Sequence, residues 1–436
     1  MDYSKKRVLI LGGGASGLSV FNILQSWGCD AHLINDTRKS SLTNDFIKSF
    51  DECVISPGIS IYDPNILMCF QNNVPVISEL EFGFRLNKSR LIAITGTNGK
   101  TTTVSLISHI LSQGGIKNEP LGNIGTPFSS KALAYGKDDI LPLEVSSFQL
   151  EAIQNFRPFI AGILNITPDH LDRHLTMQNY IQCKTRIFKN QTNQDYLIAN
   201  RDQYEILPYL KSLSKKLYIS QKQKVNGAWC LNGKIFIDGK YLIDRKDLKL
   251  IGDHNVYNAL MAALCAYLVD IDFEIIGRVL NQFNGVKHRL QYAGNLDGIT
   301  FINDSKATNA DSSLVAIKSM TAPTVLILGG SDKGISLLDY FKKIKNSFNH
   351  IIKYIVIYGA AKHKMLSDIK SVGLLKKTIL ANDFSDAFFK SAQAAEGVKP
   401  CNVLLSPACA SFDEFVNFEA RGQKFIELVK SLGASQ

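Results

Sequence analysis

The stretch Gly96-Thr97-Asn98-Gly99-Lys100-Thr101 decides the fold of the chain around it. The apolar run before it, at residues 90–94, predicts a buried strand, and the residues after it predict a helix. In such a strand–loop–helix unit, backbone N–H groups converge on phosphate oxygens, Lys100 reaches the outer phosphates and the Thr101 hydroxyl can hold Mg²⁺. The spacing is tighter than in the usual GxxxxGKS/T pattern, because Ile94 stands where that pattern begins with glycine. We interpret the stretch as an ATP phosphate loop, and the alternative is a glycine turn beside a surface lysine.

The composition is that of an ordinary globular protein. The chain has 436 residues, of which 45% are hydrophobic and 20% charged, and this length suggests about two to four domains. A net charge of +10 indicates either a solvated basic surface or an anionic substrate such as a nucleotide. Nucleic acid is not expected, because there is no dense Lys/Arg block.

Cysteine spacing and apolar runs indicate the cellular compartment of the protein. The eight cysteines form no CxxC pair, so we expect a reduced cytosolic chain with neither a zinc site nor a disulfide framework. We do not expect a secretory signal peptide, because residues 1–7 lead directly into the strand pattern and the glycine turn. The longest apolar stretch, at residues 259–269, is shorter than the ~20 residues of a membrane span and predicts a buried helix.

Three segments each begin an α/β rhythm, which predicts doubly wound sheets. Predicted strands of the first segment lie at 8–11, 31–34, 52–55 and 74–77. After a polar link at 87–89, the second segment has strands at 90–94, 140–145, 160–165 and 196–199, and a small antiparallel excursion at 220–241. The third begins near His288, with strands at 300–302, 324–328, 354–358 and 402–405.

The residues Gly12-Gly13-Gly14-Ala15-Ser16-Gly17 fit the pattern GxGxxG, and Asp36 ends the following strand. This is the pattern of a dinucleotide-binding turn, where a helix N-terminus can hold a diphosphate. The pattern suits NAD, FAD or a UDP-sugar equally well. The alternative is close packing of helix and strand with no ligand.

Two polar clusters follow buried strands of the second segment. Glu144 ends one strand, and we interpret it as a partner of Thr101 on Mg²⁺ rather than as a solvated strand end. The second cluster, at 164–174, contains His170, which we interpret as a metal contact, and His174, which we expect to be structural or at the surface.

Two more clusters follow strands of the third segment. Residues 303–309 predict either a binding turn or a capped loop. Residues 406–413 are expected to open a helix with Ser411 as its N-cap.

Ten ordered sequence blocks together resemble the Mur ligases of peptidoglycan synthesis, over essentially the whole chain. The blocks are GGGASGLS (12–19), SPGIS (56–60), GTNGKTTT (96–103), GNIGTP (122–127), EVSSFQLE (144–151), LNITPDHLDRH (164–174), DHNVYNALMAA (253–263), HRLQ (288–291), NDSKATN (303–309) and SPACASFDEFVNFEARG (406–422). The resemblance implies an α/β protein with a Rossmann-like UDP-binding domain (1–88), a central P-loop ATPase-like parallel sheet domain (89–288) and a C-terminal Rossmann-like α/β domain for the amino acid (289–436).

The resemblance implies a specific reaction in the bacterial cytoplasm. ATP would phosphorylate the alanyl carboxylate of UDP-N-acetylmuramoyl-L-alanine, and the D-glutamate amine would attack the acyl phosphate. Relatives that add other amino acids fit less well, because we find no DNPR-type motif and Asn98 stands where the L-alanine-adding ligase has histidine. Another Mur-family amino-acid ligase, an NAD(P)-dependent oxidoreductase and a binding subunit without turnover are the alternatives. We expect a monomer that inserts into no membrane.

The resemblance also implies residue roles. Two magnesium ions would be held by Thr101, Glu144, His170 and a carbamylated Lys184, and catalysis would rest on Lys100, Glu144, His170 and Lys184. From the sequence alone, Lys184 would be an ordinary lysine on a helix surface. The ATP site would comprise Gly96, Thr97, Asn98, Gly99, Lys100, Thr101, Thr102, Asn258, Arg289, Asp304 and Lys306. The UDP-substrate site would comprise Ser16, Asp36, Thr37, Arg38, Ser56, Gly58, Asn123, Ser146 and Gln149. The D-glutamate site would comprise Thr308, Lys333, Ser411, Phe412 and Phe418.

Overall fold

The computed structural model describes residues 2–37, 42–250, 252–331 and 336–435. The chain forms two compact units, one of Met1–Lys249 with His254–Phe283 and one of Leu250–Asp253 with Asn284–Gln436. The first unit contains a four-stranded and a nine-stranded sheet, and the second contains a six-stranded sheet. The prediction of an α/β fold built on three mainly parallel sheets is therefore confirmed. The residue numbers proposed for the domain boundaries stay a prediction. Among the described residues, no helix is long and apolar enough to cross a bilayer.

The first sheet is entirely parallel, in the order β2-β1-β3-β4. Strands β1, β3 and β4 are almost wholly buried and mainly apolar, as expected for parallel strands covered on both faces. Strand β2, at the edge of the sheet, is only partly buried. The elements are β1 (Arg7–Leu11), α1 (Ala15–Ser26), β2 (Asp30–Ile34), α2 (Asn44–Lys48), β3 (Glu52–Ile55), α3 (Pro64–Gln71), β4 (Val76–Ser78) and α4 (Glu79–Leu86).

The second sheet has the order β13-β12-β11-β10-β9-β8-β5-β7-β6. It is parallel up to β11 and antiparallel beyond it, as the predicted excursion requires. Its helix α9 is buried nearly all round, as the apolar stretch predicts. The elements are β5 (Arg90–Thr95), α5 (Lys100–Gln113), β6 (Leu121–Gly122), β7 (Ile140–Glu144), α6 (Ser147–Leu150), β8 (Ile160–Ile163), α7 (Leu171–His174), α8 (Met177–Thr185), β9 (Tyr196–Asn200), β10 (Lys215–Ser220), β11 (Gly227–Leu231), β12 (Lys234–Ile237), β13 (Lys240–Asp244), α9 (His254–Tyr267) and α10 (Phe273–Gln282).

The third sheet has the order β14-β15-β19-β16-β17-β18 and is antiparallel only between β14 and β15. Strand β14 has an irregular mix of polar and apolar residues, and the sequence patterns did not predict it. The elements are β14 (Gln291–Leu296), β15 (Ile299–Asn303), α11 (Ala310–Lys318), β16 (Thr324–Gly329), α12 (Leu338–Lys343), β17 (Ile352–Tyr358), α13 (Lys362–Ser371), β18 (Thr378–Leu380), α14 (Phe384–Glu396), β19 (Cys401–Ala408) and α15 (Phe418–Ser431).

The prediction that Ser411 caps a helix is wrong. The helix α15 begins at Phe418, and the Asn417 side chain caps it by accepting a hydrogen bond from the Ala420 N–H. The backbone carbonyl of Ser411 instead accepts from the amides of Glu414 and Phe415, which makes a turn ahead of the helix. Serine is common in turns as well as at helix caps, so a serine at position 411 does not by itself predict a cap.

Candidate active site

The register of the second sheet brings three sequence blocks to one edge. Strand β5 lies between β7 and β8, with Ile94 opposite Glu144 and Thr95 opposite Ile163. Because these strands are parallel, the segments that follow them all leave at the same edge, where open α/β sheets bind ligands. The phosphate loop, the segment after Glu144 and the segment at 164–174 are therefore neighbours.

Glycine is required where the phosphate loop meets helix α5. Gly99 caps the helix with a φ of 86°, and a Cβ on it would lie 2.3 Å from Asn258 Oδ1. The Lys100 ammonium lies over the loop, 2.8 Å from the Gly96 carbonyl and 3.0 Å from the Thr97 carbonyl. The amides at this helix start and the ammonium form a cationic cradle of the kind that binds phosphates. Thr102 follows on the first turn of α5 and is buried.

Asn165 holds the phosphate loop from the neighbouring strand end. Its Oδ1 accepts from the Asn98 amide at 2.8 Å, and its Nδ2 donates to the Asn98 carbonyl at 2.9 Å. Its own carbonyl accepts from the Thr97 amide. Asn165 lies within the 164–174 block, but its sequence neighbours predict no role for it, because the loop residues that it holds are about seventy positions away.

A hydroxyl and a carboxylate suited to a hard cation meet beside the loop. Thr101 Oγ1 donates to Glu144 Oε2 at 2.8 Å, and Asn123 Nδ2 donates to Glu144 Oε1 at 3.0 Å. Both Thr101 and Glu144 are buried. Oxygen donors of this type are the ones Mg²⁺ prefers. The predicted proximity of Thr101 and Glu144 is present in the structure.

Lys184 lies in the interior, so the expectation from sequence alone of a surface lysine is wrong. Its side chain is only 2% exposed, and Nζ donates to the Gly96 carbonyl at 2.9 Å. Burial, and then the nearby charge of Lys100, lower the pKa of Lys184 well below its usual value. The amine is thus held beside the phosphate loop in an environment that favours its neutral form.

The two histidines of the 164–174 block lie in different environments. His170 is exposed, adopts a φ of 52°, and its ring centroid lies 4.8 Å from that of Phe148. His174 is buried, and its Nε2 lies 3.0 Å from Ser147 Oγ. A structural role for His174 agrees with this position.

The glycine turn after β1 borders a cavity of about 730 Å³. Gly17 packs so closely that a Cβ would lie 1.9 Å from the Gly12 carbonyl oxygen, as the third glycine of this pattern requires. Five of the residues assigned to the UDP substrate line the cavity, namely Ser16, Asp36, Thr37, Ser56 and Gly58. Arg38 lies outside the described residues.

The other three residues assigned to the UDP substrate belong to the second sheet. Ser146 and Gln149 form a reciprocal capping box at the start of α6, and Gln149 is buried. Asn123 is exposed and bonded to Glu144. These three therefore lie near the phosphate loop rather than in the cavity of the first sheet.

In the second unit, the blocks at 303–309 and 406–422 meet around Asp304 and Arg421. Asp304 is buried and accepts from Ser406 Oγ at 2.8 Å and from the Leu290 amide at 3.2 Å. Burial raises the pKa of Asp304 to about 7, against the lowering effects of Ser406 and Arg289. Arg421 is fully buried and donates to the carbonyls of Ser305 and Cys409. Arg421 lies within the 406–422 block, but no role was predicted for it, because its acceptors, the carbonyls of Ser305 and Cys409, form no local sequence pattern with it.

The residues assigned to D-glutamate are only partly gathered. Two of them, Thr308 and Phe418, lie beside Lys306, a residue assigned to ATP. The Lys306 Nζ lies 5.8 Å from the centre of the Phe418 ring, and the Thr308 amide donates to the Lys306 carbonyl. Ser411 is buried, whereas Phe412 is 73% exposed. Lys333 lies outside the described residues.

Comparisons with known proteins agree with this arrangement. The family model of the Mur ligase middle domain matches residues 94–266. The UDP-N-acetylmuramoylalanine--D-glutamate ligase of Caldanaerobacter subterraneus subsp. tengcongensis is 37% identical over 99% of this chain and 100% of its own length. That of Alkaliphilus oremlandii is 36% identical over the same shares. The chain belongs to the Mur ligase family.

Solved Mur ligases share the fold. The UDP-N-acetylmuramate-alanine ligase of Thermotoga maritima aligns with a TM-score of 0.56 at 19% identity, covering 98% of this chain and 100% of that one. The MurF ligase of Thermotoga maritima, solved in complex with ADP, aligns with a TM-score of 0.55 at 14% identity, covering 92% and 100%. At these identities the likeness concerns the Mur ligase fold alone.

Proposed function

We propose that this Mur ligase is an ATP-dependent enzyme that joins D-glutamate to UDP-N-acetylmuramoyl-L-alanine through an acyl phosphate, in peptidoglycan precursor synthesis. The observation that carries the proposal is the match, over nearly the whole chain, to relatives named for this reaction. The chemistry is supported by the neighbouring Lys100, Thr101, Glu144 and Lys184 at one sheet edge.

The phosphate loop brings two anions together. Loop amides and the Lys100 ammonium neutralise the phosphates of ATP, so that the substrate carboxylate can approach the γ-phosphorus. The carboxylate oxygen forms a bond to that phosphorus as the bond to ADP breaks. The D-glutamate nitrogen then bonds to the acyl carbon, loses a proton, and phosphate leaves.

The residues fit magnesium. The buried Thr101 hydroxyl and Glu144 carboxylate supply oxygen donors for a first ion, and His170 with a modified Lys184 would hold a second. Bound Mg²⁺ would offset the negative charge of the phosphates. The support for His170 is its residue type, since imidazole can bind a metal. The contacts described for its side chain are with Asp169 and Phe148, not with Lys184.

The environment of Lys184 supports carbamylation. Its lowered pKa leaves a larger share of neutral amine, and only the neutral amine has the electron pair that attacks CO₂. The nitrogen bonds to the carbon of CO₂ and loses one proton, which converts an ammonium site into a carboxylate-like metal ligand. The nearby Lys100 charge would then stabilise the product rather than oppose it.

The cavity of the first sheet suits a nucleoside diphosphate. Its volume of about 730 Å³ lies in the range of small-ligand sites, and the N-terminus of α1 adds amides for the diphosphate. We propose that UDP occupies it. Thr308, Lys333, Ser411, Phe412 and Phe418 remain our proposal for D-glutamate, and Asn258, Arg289, Asp304 and Lys306 for ATP.

The remaining proposals concern the whole chain. We propose domains at 1–88, 89–288 and 289–436, a monomeric state and a cytoplasmic location. The NAD(P) alternative for residues 12–17 loses its support, because the relatives that match the full length are ligases.

The function is tested by phosphate release from ATP with UDP-N-acetylmuramoyl-L-alanine, D-glutamate and Mg²⁺. We expect release that requires all three substrates and a product whose mass contains one added glutamate. Lys100→Ala should lower the rate more than about a hundredfold, whereas the exposed Lys117→Ala should leave it unchanged. Turnover with another amino acid but not with D-glutamate would overturn the proposal.

A further inference from the structure

Arg173 connects the wall of the first sheet's cavity to α7, which lies at the same edge of the second sheet as the phosphate loop. It lies on α7, three residues after His170. Its Nη1 donates to the Pro57 carbonyl at 3.0 Å, and its Nη2 donates to the Ile59 carbonyl at 2.8 Å. Pro57 and Ile59 both line the 730 Å³ cavity. One guanidinium therefore holds the two ends of a short cavity wall.

The loop that Arg173 holds also supports the glycine turn. Ser56, the residue before Pro57, donates from Oγ to the Gly12 carbonyl at 2.9 Å. A Cβ on Gly12 would lie 2.8 Å from the Ser56 Cβ. The loop and the turn are thus packed against each other without spare room, so a shift in one moves the other.

Arg173 is itself fixed on its other side. Its Nε donates to Glu151 Oε1 at 3.1 Å, and its Nη2 pairs with Glu151 Oε2. The side chains are 11% and 6% exposed. The guanidinium also lies 4.0 Å from the centre of the Phe148 ring, the same ring that His170 contacts. Arg173 is therefore also oriented, on the side away from the loop, by a buried carboxylate and an aromatic face.

We infer that Arg173, oriented by Glu151, is a positioning residue that holds the 57–59 loop in the shape that binds the UDP part of the substrate. This rests on the proposed function. Four directed donations from one side chain need the planar fork of arginine, which lysine lacks. Loss of the fork should weaken binding of the uridine nucleotide while the groups that touch the reacting atoms stay in place.

The test compares Arg173→Lys, Arg173→Met and Glu151→Gln with the wild-type enzyme. Lysine keeps the positive charge beside Glu151 but cannot reach both carbonyls at once. We expect KM for UDP-N-acetylmuramoyl-L-alanine to rise about tenfold, as for loss of a hydrogen bond to a charged group. We expect KM for D-glutamate and kcat to change less than about threefold.

Arg157 provides a matched control. It also pairs with a buried carboxylate, at 2.8 Å from Asp195, but it lies before β8 and Asp195 lies before β9, at the opposite edge of the sheet. Arg157→Met should lower the melting temperature without raising KM for the UDP substrate. A general loss of stability would act on both variants alike, whereas positioning acts only through Arg173.

Two measurements separate the outcomes. Calorimetric titration of UDP-N-acetylmuramoyl-L-alanine without ATP should show the same weakening in the Arg173 variants as the KM values do. Unchanged affinity and KM in both Arg173 variants, or an equal rise in Arg157→Met, would overturn the inference. A wild-type enzyme inactive with D-glutamate would count against the proposed function, and the titration would still decide the role of Arg173.

Discussion

At the scale of single residues, some ionisable groups have surroundings that change their chemistry. Lys184 and Asp304 are the clearest examples, because each is an ionisable side chain in the interior. Burial shifts both towards the neutral form: the pKa of the amine falls and that of the carboxyl rises. Each shift has a measurable consequence.

Activity should depend on CO₂ through Lys184. The wild-type enzyme should lose activity in buffer freed of CO₂ and recover it when bicarbonate is added. Because only the neutral amine reacts, acidification through its lowered pKa should reduce the modified fraction. Intact-protein mass measurement should detect an added CO₂ in the wild type and none in Lys184→Arg.

The Lys184→Arg variant should be at least about a hundredfold slower, because a permanent guanidinium cannot become a metal ligand. The exposed Lys189, five residues further along the chain, serves as the control through Lys189→Arg. Full activity in Lys184→Arg, or insensitivity of the wild type to CO₂, would contradict the carbamylation proposal.

Stability should depend on pH through Asp304. Its pKa is 3.8 in the unfolded chain and about 7 in the folded one, so the folded state binds the proton more tightly. The stabilisation that this proton gives the folded state is fully present below the unfolded pKa and is lost as pH rises through the folded pKa of about 7. The total loss in the free energy of unfolding is up to ~4 kcal/mol. Asp304→Asn lacks this titration.

Urea unfolding at pH 5 and at pH 8 checks the effect. Relative to Asp304→Asn, the wild type should lose stability between the two values. Ser406→Ala, which removes the hydroxyl that donates to the carboxylate, should steepen the loss. Parallel pH profiles for the wild type and Asp304→Asn would show that the carboxyl does not titrate in this range.

At the scale of elements, the start of helix α5 carries the tightest constraint. Gly99 needs both a positive φ and the space beside Asn258. At the other end of the same helix, Gly115 has a φ of 77° but nothing within 4 Å of its Cβ position. Substitutions at Gly99 and Gly115 therefore separate two effects, because both positions have a positive φ but only Gly99 lacks space for a Cβ.

Gly99→Ala should therefore cost more than Gly115→Ala. The backbone strain alone is roughly 1–2 kcal/mol at either site, and only Gly99→Ala adds the clash and displaces the phosphate loop. We expect Gly99→Ala to abolish detectable ATP binding by titration, while Gly115→Ala binds ATP as the wild type does. Equal losses in the two variants would show that Asn258 gives way to the new methyl group.

At the scale of the whole molecule, the chain is divided into two compact units. The first contains two sheets with their own cores, and the second has cores on both faces of its single sheet. Cooperative unfolding as one step is the rule for single small domains and fails for larger assemblies of domains. This arrangement leads to a prediction about heat denaturation.

Calorimetry of the full chain without ligands should show more than one unfolding transition. The calorimetric enthalpy should exceed the van't Hoff enthalpy, because the units unfold in separate steps. Asp304→Asn should alter only the transition of the second unit, and Arg157→Met only that of the first. A single transition with equal enthalpies, shifted by both variants, would contradict independent unfolding.

The sequence by itself determined the features that local rules govern. Strands buried on both faces must be apolar runs, so most strands could be placed from the sequence, and Gly12 and Gly99 mark turns that side chains would block. The capped helix α15 was misplaced because serine and asparagine both suit caps, and only the folded backbone selects Asn417.

The tertiary structure decided what depends on distant partners. Lys184 is in the interior because its side chain reaches the end of β5 and the Gly96 carbonyl, which lie about ninety residues earlier in the chain, and no neighbour in sequence reveals this. Asn165, Arg173 and Arg421 act through backbone carbonyls far along the chain, and carbonyls leave no pattern among side chains. Burial and pKa belong to the assembled environment, so the chemistry of Lys184 could be determined only from the fold.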